Sequence, residues 1–487
     1  MTKISIDPIT RLEGHGRIDL FLDEDGGLQN AYMVVPELRG FEKFCEGRPV
    51  EEMPRITPRI CGVCPIAHHM CAAKAGDAVY GVEVPPAGKK LRELLYNSFF
   101  VADHATHFYA LGGPDFVVGP DAPKSERNIL GVVRKVGVEI GSVVMKLLKD
   151  NHEICAIIGG RYIHPVSCIP GGMSKPITEE DRQEILERAR RSLETAQFNL
   201  KLFDDVVLAN PAYVDLVLSD MFAHRTYYMG LVDENNCPNF YDGKVRVVGP
   251  DGVELVKYAP EQYTDVVAEH IEPYSYLKFP YLKQVGWKGF VDGPESGVYR
   301  CTPLSRLNAA DGMATPLAQA EYERFYDTLG GKPVHATLAT HWARLIEILY
   351  AAERVIELAE DPEITSPDVR VIPTQTPTEG VAIVEAPRGT LTHHYITDEK
   401  GILTKVNLIV GTTNNNAPIS MSIKRAAQGL IQPGVEVTDG LLNTIEMAFR
   451  AYDPCLGCAT HAQPGDMPLI INIYDHDRTL VQEIRRD

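Results

Sequence analysis

Near the N-terminus apolar residues fall on every second position: Ile4 and Ile6, then Ile18, Leu20 and Leu22. That is the period of a half-buried strand, and the turn-rich Asp23-Glu24-Asp25-Gly26-Gly27 before Leu28–Val34 predicts a hairpin. At Pro65 the period changes. Proline suits the first helical position, and the Ala- and His-containing run behind it predicts a helix ending near Gly76 or Gly81. A second helix is predicted over about 89–111, where Leu91, Leu94, Leu95, Ser98 and Ala102 recur at three- and four-residue spacing. Residues 112–135 are rich in Gly and Pro and read as loop, followed by helix to about 158 and another loop over 159–172. Residues 178–230 read as helical throughout, opening at Thr178-Glu179-Glu180, and 316–360 reads as helix again.

Between these helical stretches, 235–300 is aromatic, Pro- and Gly-rich, with a hairpin at Val245/Val247 and Val253/Leu255. From Pro362 onward strand patterns return, with a hairpin of 391–396 and 402–409 turned at Asp398-Glu399-Lys400-Gly401. Thr412-Thr413-Asn414-Asn415-Asn416 reads as a polar turn. Thr438 or Asp439 then caps a helix with Leu442, Ile445 and Phe449 on one face, stopped by Asp453-Pro454. No internal repeat or low-complexity segment interrupts the chain.

Composition narrows the possible partners. The 487 residues carry 48 basic and 66 acidic side chains, a net charge of −18. With no run of Lys or Arg, nucleic acid and anionic membrane surfaces are disfavoured. No apolar run approaches the length that spans a bilayer, so no transmembrane segment is expected. The opening residues carry no signal-peptide or twin-Arg pattern, so a cytoplasmic location is expected.

Ten cysteines are too few for a disulfide scaffold in a chain of this size. Six show no ligand spacing, and the other four form two Cys-x-x-Cys pairs almost the whole chain apart: Cys61/Cys64 and Cys455/Cys458. Each pair is followed by a histidine, His68 and His461. Cys64 falls at the predicted helix N-terminus, where the dipole and free N–H groups favour a thiolate, with His68 on the same helical face. Three readings stand at this point. Four thiolates can make a structural zinc site, one pair can act as a redox dithiol, or all four can hold a catalytic soft metal. Taken alone, Glu13 and Glu42 read as solvated loop carboxylates and Asp103 as a structural residue.

The residues around the pairs carry a resemblance. Arg59-x-Cys61-Gly62-x-Cys64-x-x-x-His68 and Asp453-Pro454-Cys455-x-x-Cys458-x-x-His461 are similar to the two metal motifs of [NiFe] hydrogenase large subunits. The same order continues through Arg11–His15, Arg39–Glu42, Asp103-His104, His164–Gly172, Glu385–Gly389 and Leu408–Asn416. Within the family the chain most resembles the cytosolic multimeric branch, and there the methyl-viologen-reducing type associated with heterodisulfide reductase. That resemblance implies an α+β fold, mainly α with peripheral β-sheets around a helical bundle. It further implies one large-subunit domain over 1–461, including the β-rich 235–300, and a C-terminal extension over 462–487. A maturation protease would remove the extension after His461.

The implied activity is reversible heterolytic cleavage of H2 to protons and electrons. Cys61 and Cys455 would be terminal ligands of nickel, and Cys64 and Cys458 would bridge it to an iron carrying CO and two cyanides. Cys455 would take the proton first and Glu13 would pass it on. Arg388 would face the metals, held by Asp103 and Asp453. Pro387 and Thr412 would line the diatomic ligands, and His68 would hydrogen-bond a bridging sulfur. Glu42, the Leu408 carbonyl and His461 match a Mg2+ site. One departure is Gly411 before Thr412, where many members carry Pro. With no further cysteine set for clusters, electrons would leave through a small iron–sulfur subunit, then through further redox subunits. The alternatives are the metal-free quinone-pocket subunit of respiratory complex I, which shares the fold, and a structural tetrathiolate zinc protein.

Overall fold

The computed structural model describes residues 2–460, 469–474 and 479–486. It opens on an antiparallel sheet of β1 (Thr2–Ile6), β2 (Arg17–Leu22) and β3 (Leu28–Val34), in that order across the sheet. Helix α1 (Pro65–Tyr80) starts with Pro65 in its first turn and stops at Gly81, which adopts the left-handed conformation at φ 58°. Then come α2 (Pro86–Thr106), α3 (Val138–Gly159) and α4 (Glu179–Phe203). Helix α4 is nucleated by a capping box in which Thr178 and Asp181 each bind the other's backbone N–H.

Strands β4 (Tyr227–Val232), β5 (Lys244–Val248) and β6 (Glu254–Tyr258) form a sheet with the short strand Tyr299–Arg300, which pairs parallel to β4. Helix α5 (Thr340–Glu360) is buried on nearly every side over Thr340–Ala352, which makes it the centre of the bundle. It packs against α2 and α4, and α3 closes the group against α2 and α4. A third sheet, β7 (Glu379–Ala386), β8 (Gly389–Thr397) and β9 (Leu403–Ile409), lies against α1. Helices α6 (Asn416–Leu430) and α7 (Asp439–Arg450) pack on each other, and α6 also packs on β3. Beyond the second cysteine pair, the strand Leu469–Tyr474 pairs antiparallel with Leu480–Arg486.

The α+β architecture and the three hairpins agree with the sequence pattern. Four expectations need correction. The helix expected over 178–230 ends at Phe203; a π turn, the short helix Pro211–Leu218 and then β4 follow. Every residue of β4 is buried, so it shows no alternation to betray it. The presumed loop 112–135 contains the helices Gly113–Val117 and Ile129–Val136, the latter capped by the Asn128 side chain. The helix expected over 316–360 is two helices, Pro316–Thr328 and α5, separated at Gly330 and Gly331, both at positive φ. Thr412–Asn416 is not a turn: Gly411–Asn414 is helical and leads straight into α6.

Candidate metal centre

The two cysteine pairs meet because the chain ends are stitched together. Glu13 and Cys455 form a parallel bridge, with the Leu456 N–H donating to the Glu13 carbonyl at 2.9 Å. The Arg39 N–H donates to the Thr460 carbonyl at 2.7 Å. Gly14, at φ 88°, permits this approach, since a Cβ there would stand 2.8 Å from the Gly457 nitrogen. Asp453, left-handed at φ 56°, turns the chain from α7 into the second motif.

All four sulfurs are buried and lie within 4.8 Å of one another. Cys61 and Cys455 are 3.2 Å apart, as are Cys64 and Cys458, and none is in a disulfide. Cys64 is the residue immediately before α1, and the Cys61 sulfur accepts from the Val63 and Cys64 N–H groups at 3.2 and 3.4 Å. Hydrogen bonds from Cys455, Cys458 and Cys64 hold the Cys61 thiol well below its ordinary range, while burial drives Cys455 and Cys458 well above theirs. Four sulfurs at this spacing could ionise together only around a cation, which fits a divalent metal centre.

Around the sulfurs the expected residues converge. Glu13 Oε2 lies 3.0 Å from Cys455 Sγ and accepts from the Gly457 N–H at 2.9 Å. Arg388 pairs with Asp103 at 3.1 Å and Asp453 at 2.9 Å. Burial opposes its charge, but the two carboxylates outweigh that and raise its pKa well above the ordinary value. Burial pushes both carboxyls upward, Asp453 to about 7, against the pull of Arg388. Thr412 Oγ1 accepts from the Cys455 N–H at 3.0 Å. His68 Nε2 is 3.6 Å from Cys458 Sγ, and burial lowers its pKa to about 4, so the ring is neutral at pH 7. The Pro387 carbonyl is gripped by Arg306 at 3.3 Å. Gly411 sits so tightly that a Cβ would be 2.9 Å from the Gly389 carbonyl oxygen.

Glu42 and Leu408 also come together, through the Leu408 N–H, which donates to Glu42 at 2.7 Å. Lys278 lies 3.7 Å from Glu42 and 3.2 Å from Glu269. His461 falls outside the described residues.

Several contributors escaped the sequence pattern. Asn414, Asn415 and Asn416 each donate a side-chain N–H to a distant carbonyl: Thr390 and Arg388 at 2.7 Å, Lys278 at 2.8 Å. Their polarity, which suggested a turn, serves as internal clamps. Arg344, fully buried on α5, stands 3.6 Å from Asp453 and 3.0 Å from His104. Arg306 binds both oxygens of Glu347 at 2.6 Å and the Ala386 carbonyl at 3.0 Å, so it braces the backbone just before Arg388. Arg344 and Glu347 inside the otherwise uncharged Ala343–Ala352 stretch of α5 were the available signal.

Four buried cysteines flanked by a carboxylate and a clamped guanidinium, on a helical bundle, suit a metal-dependent redox enzyme. The sequence model of the nickel-dependent hydrogenases matches residues 39–128 and 229–461, and a HoxL-like model matches 3–38. The chain belongs to the nickel-dependent hydrogenase family, as a catalytic large subunit of the [NiFe] type. It is 48% identical over 485 residues, the full length of both, to an iron-sulfur subunit of the F420-non-reducing hydrogenase of Archaeoglobus profundus. It is 39% identical over 498 residues, 99% of each chain, to the beta subunit of the NAD-reducing hydrogenase HoxS of Cupriavidus necator. A solved NAD+-reducing [NiFe]-hydrogenase in the H2-reduced state superposes with a TM-score of 0.89 at 36% identity, covering 95% of this chain and 100% of that one. The zinc-protein and metal-free quinone-pocket alternatives find no support in these relatives.

Proposed function

We propose that the four cysteines would hold a nickel–iron centre, with Cys61 and Cys455 as terminal nickel ligands and Cys64 and Cys458 shared with an iron that would carry CO and two cyanides. When bound, such a centre supplies the Lewis-acidic, redox-active site at which H2 is polarised and gives up its electrons. The residues divide the remaining work. Cys455 receives the proton and Glu13, in contact with its sulfur, carries it away from the cluster. Arg388 presents a fixed positive charge to the sulfurs; Asp103 and Asp453 hold its guanidinium, and Asn415 holds its backbone. Pro387 and Thr412 line the diatomic ligands. The observation that carries this reading is the set of four buried sulfurs within 4.8 Å with the Glu13 carboxylate 3.0 Å from one of them.

A Mg2+ site at Glu42, the Leu408 carbonyl and His461 belongs to the same proposal. Two carboxylates, the buried Glu42 and the half-buried Glu269, share the single ammonium of Lys278, and Glu269 Oε1 has no hydrogen-bond partner among the described residues. The uncompensated negative charge suits a hard, oxygen-seeking cation.

Electrons leave through a small iron–sulfur subunit. The face that suits it lies over the Cys61–Cys64 loop, where Val63, Tyr162, Ile163 and Val166 are exposed. A cavity of about 220 Å³ between Val63, Tyr162 and Asp103 lies beneath this face. Heterodisulfide reductase is proposed as the onward acceptor, on the resemblance of the motifs to the methyl-viologen-reducing type. No helix among the described residues is long and apolar enough to cross a membrane, and a cytoplasmic location is proposed. The domain is proposed to end at His461, where the family match also ends, with a maturation protease removing 462–487. Metal analysis tests the ligand assignment. In this subunit separated from its iron–sulfur partner, nickel and iron should be present in equal amounts and should fall together in Cys64→Ser and Cys458→Ser; zinc alone would overturn it.

A further inference from the structure

From Cys458 a line of hydrogen bonds runs away from the sulfurs into the core. His68 Nε2 is 3.6 Å from Cys458 Sγ, His68 Nδ1 is 3.3 Å from His393 Nε2, and His393 Nδ1 is 2.6 Å from the Tyr395 hydroxyl. None of these four side chains is more than 1% exposed, so solvent cannot exchange into the line. Strand alternation builds it. His393 and Tyr395 are two apart on β8 and share the face turned to α1, which carries His68. His394, between them, turns the other way, to Tyr263 at 2.8 Å and Glu379 at 2.7 Å.

The donor and acceptor at each link follow from the far end. A neutral imidazole has one N–H and one lone pair, so fixing either nitrogen fixes the other. Burial raises the Tyr395 phenol well above its ordinary range, so it keeps its proton. Among the described residues the phenol has one hydrogen-bond partner, His393 Nδ1. A buried O–H with a single hydrogen-bond partner donates to it, because pointing elsewhere leaves the proton unsatisfied. His393 Nδ1 is therefore the acceptor, and its Nε2–H donates to His68 Nδ1. That leaves the His68 proton on Nε2, facing the Cys458 sulfur. The opposite polarity would aim a nitrogen lone pair at a thiolate and orphan the phenol proton.

We propose that Tyr395 and His393 are positioning residues that lock His68 in the tautomer whose Nε2–H donates to Cys458. The inference rests on the reading of Cys458 as a bridging ligand. A donor on that sulfur withdraws charge from it and so weakens its donation to the metals. Removing the donor sends more charge toward the diatomic ligands and lowers their stretching frequencies.

The test is the infrared spectrum of the whole hydrogenase complex bearing Tyr395→Phe. The expected result is a shift of the CO and cyanide bands to lower wavenumber at wild-type nickel and iron content. His393→Gln, whose amide N–H can still donate to His68, should keep the wild-type bands, while His393→Leu should shift them as Tyr395→Phe does. Superimposable bands in Tyr395→Phe would overturn the inference, as would loss of metal from that variant or equal shifts in His393→Gln and His393→Leu. Absence of such bands from the wild type would instead overturn the metal assignment itself, and the inference with it.

Discussion

Gly457 lies between two of the cysteine ligands, and replacing it with alanine tests the proton route without touching a sulfur or a carboxylate. A Cβ there would stand 2.7 Å from Glu13 Oε1, 3.0 Å from Glu13 Oε2 and 3.0 Å from an Arg39 nitrogen. The first distance is well inside van der Waals contact, so the carboxylate must retreat by roughly half an ångström or more. Its backbone cannot follow, because the Glu13 carbonyl accepts from the Leu456 N–H at 2.9 Å. Only the side chain can turn, which lengthens both the 3.0 Å contact to Cys455 and the 2.9 Å bond from the Gly457 N–H. A hydrogen bond to a charged group contributes about 1.5–3 kcal/mol. If that contribution is lost from the barrier to proton transfer, turnover falls by roughly 10- to 150-fold. The fold should tolerate the change, since the clash is with the ends of two flexible side chains. The assay is H2 oxidation and H/D exchange by the purified complex, beside nickel and iron content. Glu13→Gln, which cannot carry the proton at all, should lose more. Near-wild-type exchange in Gly457→Ala, or activity lost only in step with nickel, would refute the route through Glu13.

Arg388→Lys places one ammonium where a guanidinium reaches both Asp103 and Asp453, so H2 uptake should fall by at least about 100-fold, some 2.7 kcal/mol; metal content should hold, and a fall in nickel would assign Arg388 to assembly instead. Gly380→Ala would put a Cβ 2.4 Å from the Val79 nitrogen and 2.6 Å from the Ala75 carbonyl oxygen, backbone that cannot step aside. That variant should melt earlier, by about 1–3 kcal/mol of stability or more, and load less metal, because β7 supports the helix that begins at Cys64; an unchanged melting curve would contradict this packing. Burial opposes ionisation of Glu347, but Arg306 and His104 outweigh it and hold its carboxyl at about 2, below the ordinary 4.5. A depressed carboxyl contributes stability that is present above 4.5 and lost as the pH falls toward 2. In denaturant titrations Glu347→Gln should therefore flatten the acid limb between those values, and at neutral pH it should cost about 3–5 kcal/mol by leaving Arg306 half-paired; an acid limb as steep as wild type would contradict the assignment.

What was legible in the sequence depended on how local its cause is. Alternation placed the first hairpin and the β8–β9 hairpin, Pro65 marked the start of α1, and its end fell at Gly81, the later of the two glycines expected to stop it. The meeting of the two cysteine pairs was different. It depends on Glu13 pairing with Cys455 and on Gly14 allowing the approach, contacts between chain ends that no local period encodes. Only the ordered resemblance of motifs along the whole chain foresaw it. β4 was hidden because burial on both faces removes the alternation that announces a strand. The asparagine run was misjudged because a polar residue at a turn and a polar residue clamping a buried backbone look alike in sequence. His393 and Tyr395 carried the right spacing for one strand face, but what that face meets is a tertiary fact.

The infrared spectrum of the purified wild-type complex, taken beside its metal content, tests the central claim most directly. If the four buried thiols hold a nickel–iron centre, CO and cyanide stretches appear together with nickel, and both the bands and the nickel are lost in Cys64→Ser. A protein carrying zinc, with no band from either diatomic ligand, would contradict the account.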